Sequence, residues 1–187
     1  DRHPIFEQVK GEKVYEPLAL LEIKNKDFIN NFTHPLNYLC LLEEQLLRKL
    51  VGKAKSNTIR EIFGYTDEKT ALKNDLSHLK LCFGHFGGDD EWRRFIELDR
   101  DNFSSQLVKN PAKGISFLSE NPDKPTRGKL EQIWKYADWY SIICSLMLQY
   151  PNVYADLSFI LHNSAIKPLL KQTLMNSKLS NRILFGT

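Results

Sequence analysis

The sequence has few cysteines, no long apolar run and no block of like charge, and each lack excludes something. Three cysteines among 187 residues, Cys40, Cys82 and Cys144, are odd in number, far apart and set in apolar contexts. They exclude a disulfide framework and a zinc knuckle, and read as reduced core residues of a cytoplasmic protein. No apolar run approaches the ~20 residues of a membrane-spanning helix, so no membrane partner is expected. No signal peptide is visible at the start. The net charge is only +3, with lysines and arginines scattered, so a nucleic-acid footprint is not indicated. No repeat of 20 to 50 residues is visible. What remains is an ordinary globular composition, 42% hydrophobic and 26% charged, long enough to bury a sizeable core. The first residue is not Met, and Arg182–Thr187 reads as a strand cut short; both ends suggest a piece of a longer chain.

The most informative stretch is Leu79–Trp92, "LKLCFGHFGGDDEW". Leu79, Leu81, Phe83 and His85 share one parity and would point to one face of a strand. His85 is then expected as the last residue of an inward-facing row, where a strand opens into a loop. Gly87-Gly88 lets the backbone turn sharply or approach a ligand. The acids Asp89, Asp90 and Glu91 suit the first turn of a helix better than a cation site. The pattern alone also fits a buried histidine that caps a strand and bonds to backbone.

Along the chain, Asp1–Gly11 reads as loop and Lys13–Phe32 as helix, from apolar residues at spacings of 3 to 4. A second helix is expected from Thr33, its N-cap, to Gly52, its stop. Ser56–Asp75 reads as a shorter helical pair, Asp89–Asp101 as helix, and Phe103–Gly128 as a long loop. Lys129–Gln149 is a strong helix halted by Pro151-Asn152. Val153–Phe159 reads as a strand with Tyr154, Asp156 and Ser158 on a polar face. A helix over Ala165–Met175 and a strand over Arg182–Thr187 complete the order. Strands alternating with helices argue for a parallel sheet.

Three stretches in order, "LKLCFGHFGG", "YPNVYADLSF" and "KLSNRILFGT", resemble the amidohydrolase superfamily, in the branch of aminocarboxymuconate-semialdehyde decarboxylase and related metal-dependent hydrolases. "THPLNYLCLLEE" resembles the helix before that family's sixth strand. The match runs from about Thr33 to the end. The resemblance implies an α/β fold in which residues 1–187 form one partial domain. That domain would be the part of a (β/α)8 TIM barrel around the sixth to eighth strands, with helical insertions near 53–75 and 102–128. It implies a divalent metal, usually zinc, a small carbonyl or amide substrate, and His85 as a metal ligand or the base beside a metal-bound water. The family's His-x-His pair is absent from this sequence. Its fifth-strand histidine would lie upstream of Asp1, and its eighth-strand aspartate would fall at residue 188. The chain as given is therefore expected to be inactive alone.

Asp156, Ser158 and His162 are candidates for substrate binding, with a polar packing layer as the alternative for the first two and an exposed loop for the third. His34 reads as part of a helix start, His78 as structural, and His3 is not pinned by anything. Trp134, Tyr136, Trp139 and Tyr140 fall at helical spacing and read as core rather than a stacking platform. A non-catalytic scaffold or oligomerisation module derived from such a barrel competes with the enzyme, as does an unrelated helix-rich interaction module in which "HFGG" is chance, and a homo-oligomer is expected.

Overall fold

The computed structural model describes residues 6–9, 12–15, 32–97, 133–135 and 137–186. Strands β1 (Phe6–Val9) and β2 (Glu12–Tyr15) form an antiparallel pair, with Phe6 opposite Tyr15. This corrects the loop expected up to Gly11 and the start of the helix expected from Lys13.

A 3-10 turn over Pro35–Tyr38 leads into α1 (Leu39–Leu42) and α2 (Glu44–Gly52). The single helix expected there is broken at Glu43, whose φ of −120° and ψ of 101° are extended. The cap is His34 rather than Thr33: its side chain accepts the Leu36 N–H. Helix α3 (Asn57–Phe63) ends at Gly64, whose left-handed φ of 60° suits glycine. Turns follow it, in place of the second helix expected before Asp75. Leu47, Val51 and Leu72 close a small core of their own here.

β3 (Leu81–Phe83) is followed by a left-handed turn and then by α4 (Asp89–Glu97). Helix α5 (Trp139–Gln149) starts at Asp138, whose carboxylate accepts the Ser141 N–H at 2.7 Å and so breaks the longer helix expected from Lys129. Tyr140, Ile142, Ile143, Leu146 and Met147 are all buried, so α5 is apolar nearly all round and lies inside the core. β4 (Val153–Asp156), α6 (Lys167–Met175), a short α7 (Ser177–Ser180) and β5 (Ile183–Leu184) complete the chain. On β4, Val153 and Ala155 are buried while Tyr154 and Asp156 are half-buried, the alternation the sequence carries. The expected loop over 103–128, and the insertion placed there, lie outside the described residues.

The sheet runs β3-β4-β5, all parallel, with Leu81 beside Val153 and Ala155 beside Ile183. The strands have three, four and two residues, and helices and turns take most of the other described positions. The partial (β/α)8 barrel expected from the resemblance is therefore corrected: the described residues form a largely helical domain around a small parallel sheet. The physical reason is that each strand-like stretch turns early. The chain leaves β3 at Gly84, and beyond β4 Phe159 takes a φ of 66°. Among the described residues no helix is long and apolar enough to cross a membrane.

Candidate functional site

The site is built on the turn after β3. His85 and Phe86 take left-handed φ of 53° and 46°, and Gly87 and Gly88 follow at 83° and 92°. Left-handed backbone costs a residue with a side chain about 1–2 kcal/mol, so His85 and Phe86 must be held there. Phe86 is fully buried, worth roughly 2 kcal/mol. The Trp92 indole N–H donates to the Phe86 carbonyl at 3.0 Å, which adds about 1 kcal/mol. Gains and costs are of similar size, so the turn is a feature imposed by packing. Gly87 also needs its lack of a side chain: a Cβ there would meet Ile143 Cδ1 and Trp139 Cβ at 3.1 Å.

The turn lifts His85 out of the strand. It is not the last of an inward row, as the parity suggested; Phe83 is, and the His85 side chain is 56% exposed. Its Nδ1 lies 3.0 Å from both the carbonyl oxygen and the hydroxyl of Ser158. A carbonyl can only accept, so Nδ1 carries the hydrogen. In the neutral ring, Nε2 then holds the lone pair, and it has no partner among the described residues. The Ser158 hydroxyl donates to Asp156 Oδ1, and the Ser158 N–H donates to the same oxygen at 3.0 Å. Asp156 Oδ1 is also 3.9 Å from His85 Nδ1. Burial alone would raise the Asp156 pKa, but the bonds from Ser158 and His85 outweigh it and hold the carboxyl below its usual range.

This geometry is not a nucleophilic serine arrangement. The serine proton goes to Asp156, and His85 donates toward the serine rather than accepting from it. Ser158 and Asp156 instead orient the imidazole and leave Nε2 free.

A cavity of about 500 Å³ opens beside His85. Its lining includes Thr33, Tyr38, Phe83, Trp139 and Ile143, with Gly88 and Cys82. Cys82 is exposed rather than core, and burial of its thiol, with Asp156 nearby, raises its pKa and keeps it protonated. Trp139 is held in place by its own N–H, which donates to Glu91 Oε2 at 2.8 Å. Asp89 accepts from Asn163 at 2.9 Å, and Asp90 lies 3.5 Å from Arg93, so the acids after Gly88 have protein partners.

The structure thus brings His85, Asp156 and Ser158 together and sets His162 apart. His162 donates from Nδ1 to the Phe159 carbonyl, with its ring 4.8 Å from the Phe159 ring. Phe159 also lies 5.6 Å from the His85 ring. Phe159, 68% exposed at a positive φ, was not legible in the sequence, because no glycine or turn signal marks it. Tyr38 and Trp139 were legible only as helix-face aromatics. His34 is structural. It is stacked on Trp134 at 3.9 Å, and burial lowers its pKa to about 4 against the opposing bond to the Trp134 carbonyl. Tyr136 and His3 lie outside the described residues.

Among the described residues no three His, Cys, Asp or Glu side chains come together as a metal site. His85 Nε2 could be one ligand, whereas Asp156 is engaged with Ser158 and the far side of the ring. The described residues do not compose a zinc site by themselves. Compared with protein-family models, curated proteins and solved structures, the chain gives no match.

Proposed function

We propose that this chain carries part of the catalytic site of a hydrolase of the amidohydrolase type, acting on a small carbonyl or amide substrate. The observation that carries the reading is the His85 ring: Nδ1 is anchored on Ser158 at 3.0 Å and Nε2 is free beside an apolar cavity. Such a nitrogen can take a proton from a water attacking a carbonyl carbon. The C–N or C–O bond then breaks as the imidazolium returns that proton to the leaving amine or alcohol. Asp156, 3.9 Å from Nδ1, stabilises the imidazolium in between.

The likeness of "LKLCFGHFGG" to the family's sixth-strand motif supports the same role. A divalent metal, zinc by that likeness, belongs to the reading as a matter of content, to be measured on the full-length protein. Three free cysteines favour a reducing cytoplasm. The test is a screen of small amides and esters with the full-length protein and its His85→Gln variant. Turnover that falls by roughly 10²–10⁴ in the variant, with folding intact, supports the reading; undiminished turnover contradicts it.

A second reading is a scaffold that assembles with copies of itself. Phe159, Leu184 and Phe185 are exposed around the end of the sheet and favour it. A protein that forms a stable homo-oligomer and turns over nothing in the screen would be this scaffold.

A further inference from the structure

We propose that the cavity beside His85 selects an uncharged ligand bearing a flat ring, so that the hydrolase reading above is narrowed to neutral aromatic amides or esters. The inference rests on that reading for the reaction, but the binding claim stands on the cavity itself.

Three aromatic side chains line the cavity. Tyr38 and Phe83 meet edge to face, with centroids 6.1 Å apart, and Trp139 joins them with Ile143. Such walls favour a ring, which gains both area burial and ring–ring contact. The volume, about 500 Å³, is ample for a substituted ring and lies in the range of small-molecule sites.

The charge pattern selects further. Among the described residues no Lys, Arg, Asp or Glu lines the cavity. The Cys82 thiol stays protonated, and Tyr38 turns its hydroxyl onto the Phe32 carbonyl at 2.5 Å. A charged ligand would therefore leave water without a carboxylate, ammonium or guanidinium among the described lining residues to receive it, and a neutral His85 ring carries no countercharge. A fixed charge beside the lining is the Asp156 carboxylate, whose Oδ2 comes within 3.7 Å of where a Cβ on Gly84 would stand. That field opposes a ligand carboxylate. A ligand cation would have to leave the apolar walls to reach it. His85 Nε2, an acceptor, can take the N–H of a neutral amide, and the open face of Gly88, where a side chain would meet nothing within 4 Å, leaves room beside it.

The test uses three probes of one shape and different charge: benzamide, benzoate and benzamidinium. Each is titrated calorimetrically into the full-length protein, with the Ile143 methyl signal as a local reporter. Benzamide is expected to bind saturably and roughly tenfold or more tighter than either ion. Tyr38→Arg is expected to reverse the order in favour of benzoate, while Tyr38→Phe keeps it, which separates a charge effect from damage to the fold.

Equal or tighter binding of either ion by the unaltered protein overturns the inference. So does the absence of saturable benzamide binding, or an order unchanged by Tyr38→Arg. Benzamide binding in a protein that hydrolyses no amide or ester upholds this inference and removes the hydrolase reading. Hydrolysis of aliphatic amides without benzamide binding removes this inference alone.

Discussion

His34 and His85 each stand beside a turn that borders the same cavity, and they are built in opposite ways. His34 is 3% exposed, and both its ring nitrogens are committed: Nδ1 accepts the Leu36 N–H, and Nε2 donates to the Trp134 carbonyl. His85 is exposed and commits only Nδ1, as a donor to Ser158. The two neutral rings are therefore opposite tautomers. A histidine satisfied on both sides holds a fold together. One held on a single side is oriented and still has a lone pair to use.

The comparison is broken most severely by removing the free nitrogen's chemistry. In full-length protein, His85→Gln should lower turnover by roughly 10²–10⁴ with little change in melting temperature. His34→Ala should do the reverse. It loses a cap and a stacked ring, so it should cost about 2–3 kcal/mol of stability, read from the denaturant midpoint.

The same contrast has a pH signature. His34 is depressed to about 4 when folded, against an ordinary 6.5, so the unfolded chain binds the extra proton between those limits. Its contribution is fully present above pH 6.5 and is lost as pH falls toward 4, up to about 3 kcal/mol in all. His34→Asn should flatten that part of the stability profile; an unchanged slope would mean that His34 is not held neutral.

Smaller changes sharpen the account of how His85 is presented. Gly87→Ala places a Cβ against Trp139 and Ile143 at a φ of 83°, and should cost about 2 kcal/mol or more. Ser158→Ala should be the mildest, lowering kcat about tenfold with KM nearly unchanged, because the imidazole loses its anchor but keeps its lone pair.

Much of the frame was legible in the sequence. The alternation of Val153–Asp156, the acids opening α4 and the apolar face of α5 are local patterns, and each became the element its pattern names. Asp156 and Ser158 were legible as two polar positions of one parity on a strand-like stretch, but their contact with His85 was not. What was not legible depends on residues far apart in the chain. The left-handed turn at His85 and Phe86 is imposed by Phe86 burial and the Trp92 bond, and no local signal requires two non-glycine residues to adopt it. The cap at His34 depends on Trp134, 100 residues away. The barrel expectation failed on strand length: residues 84–85 and 158–159 continue the strand parity in sequence but are spent on turns.

The central claim, that His85 keeps Nε2 free by donating from Nδ1, is tested most directly by the nitrogen shifts of the imidazole rings in 15N-labelled full-length protein, recorded by NMR at mildly alkaline pH. The account predicts the Nδ1–H tautomer for His85 and the Nε2–H tautomer for His34 in the same spectrum. A His85 ring with its hydrogen on Nε2, matching His34, would contradict it.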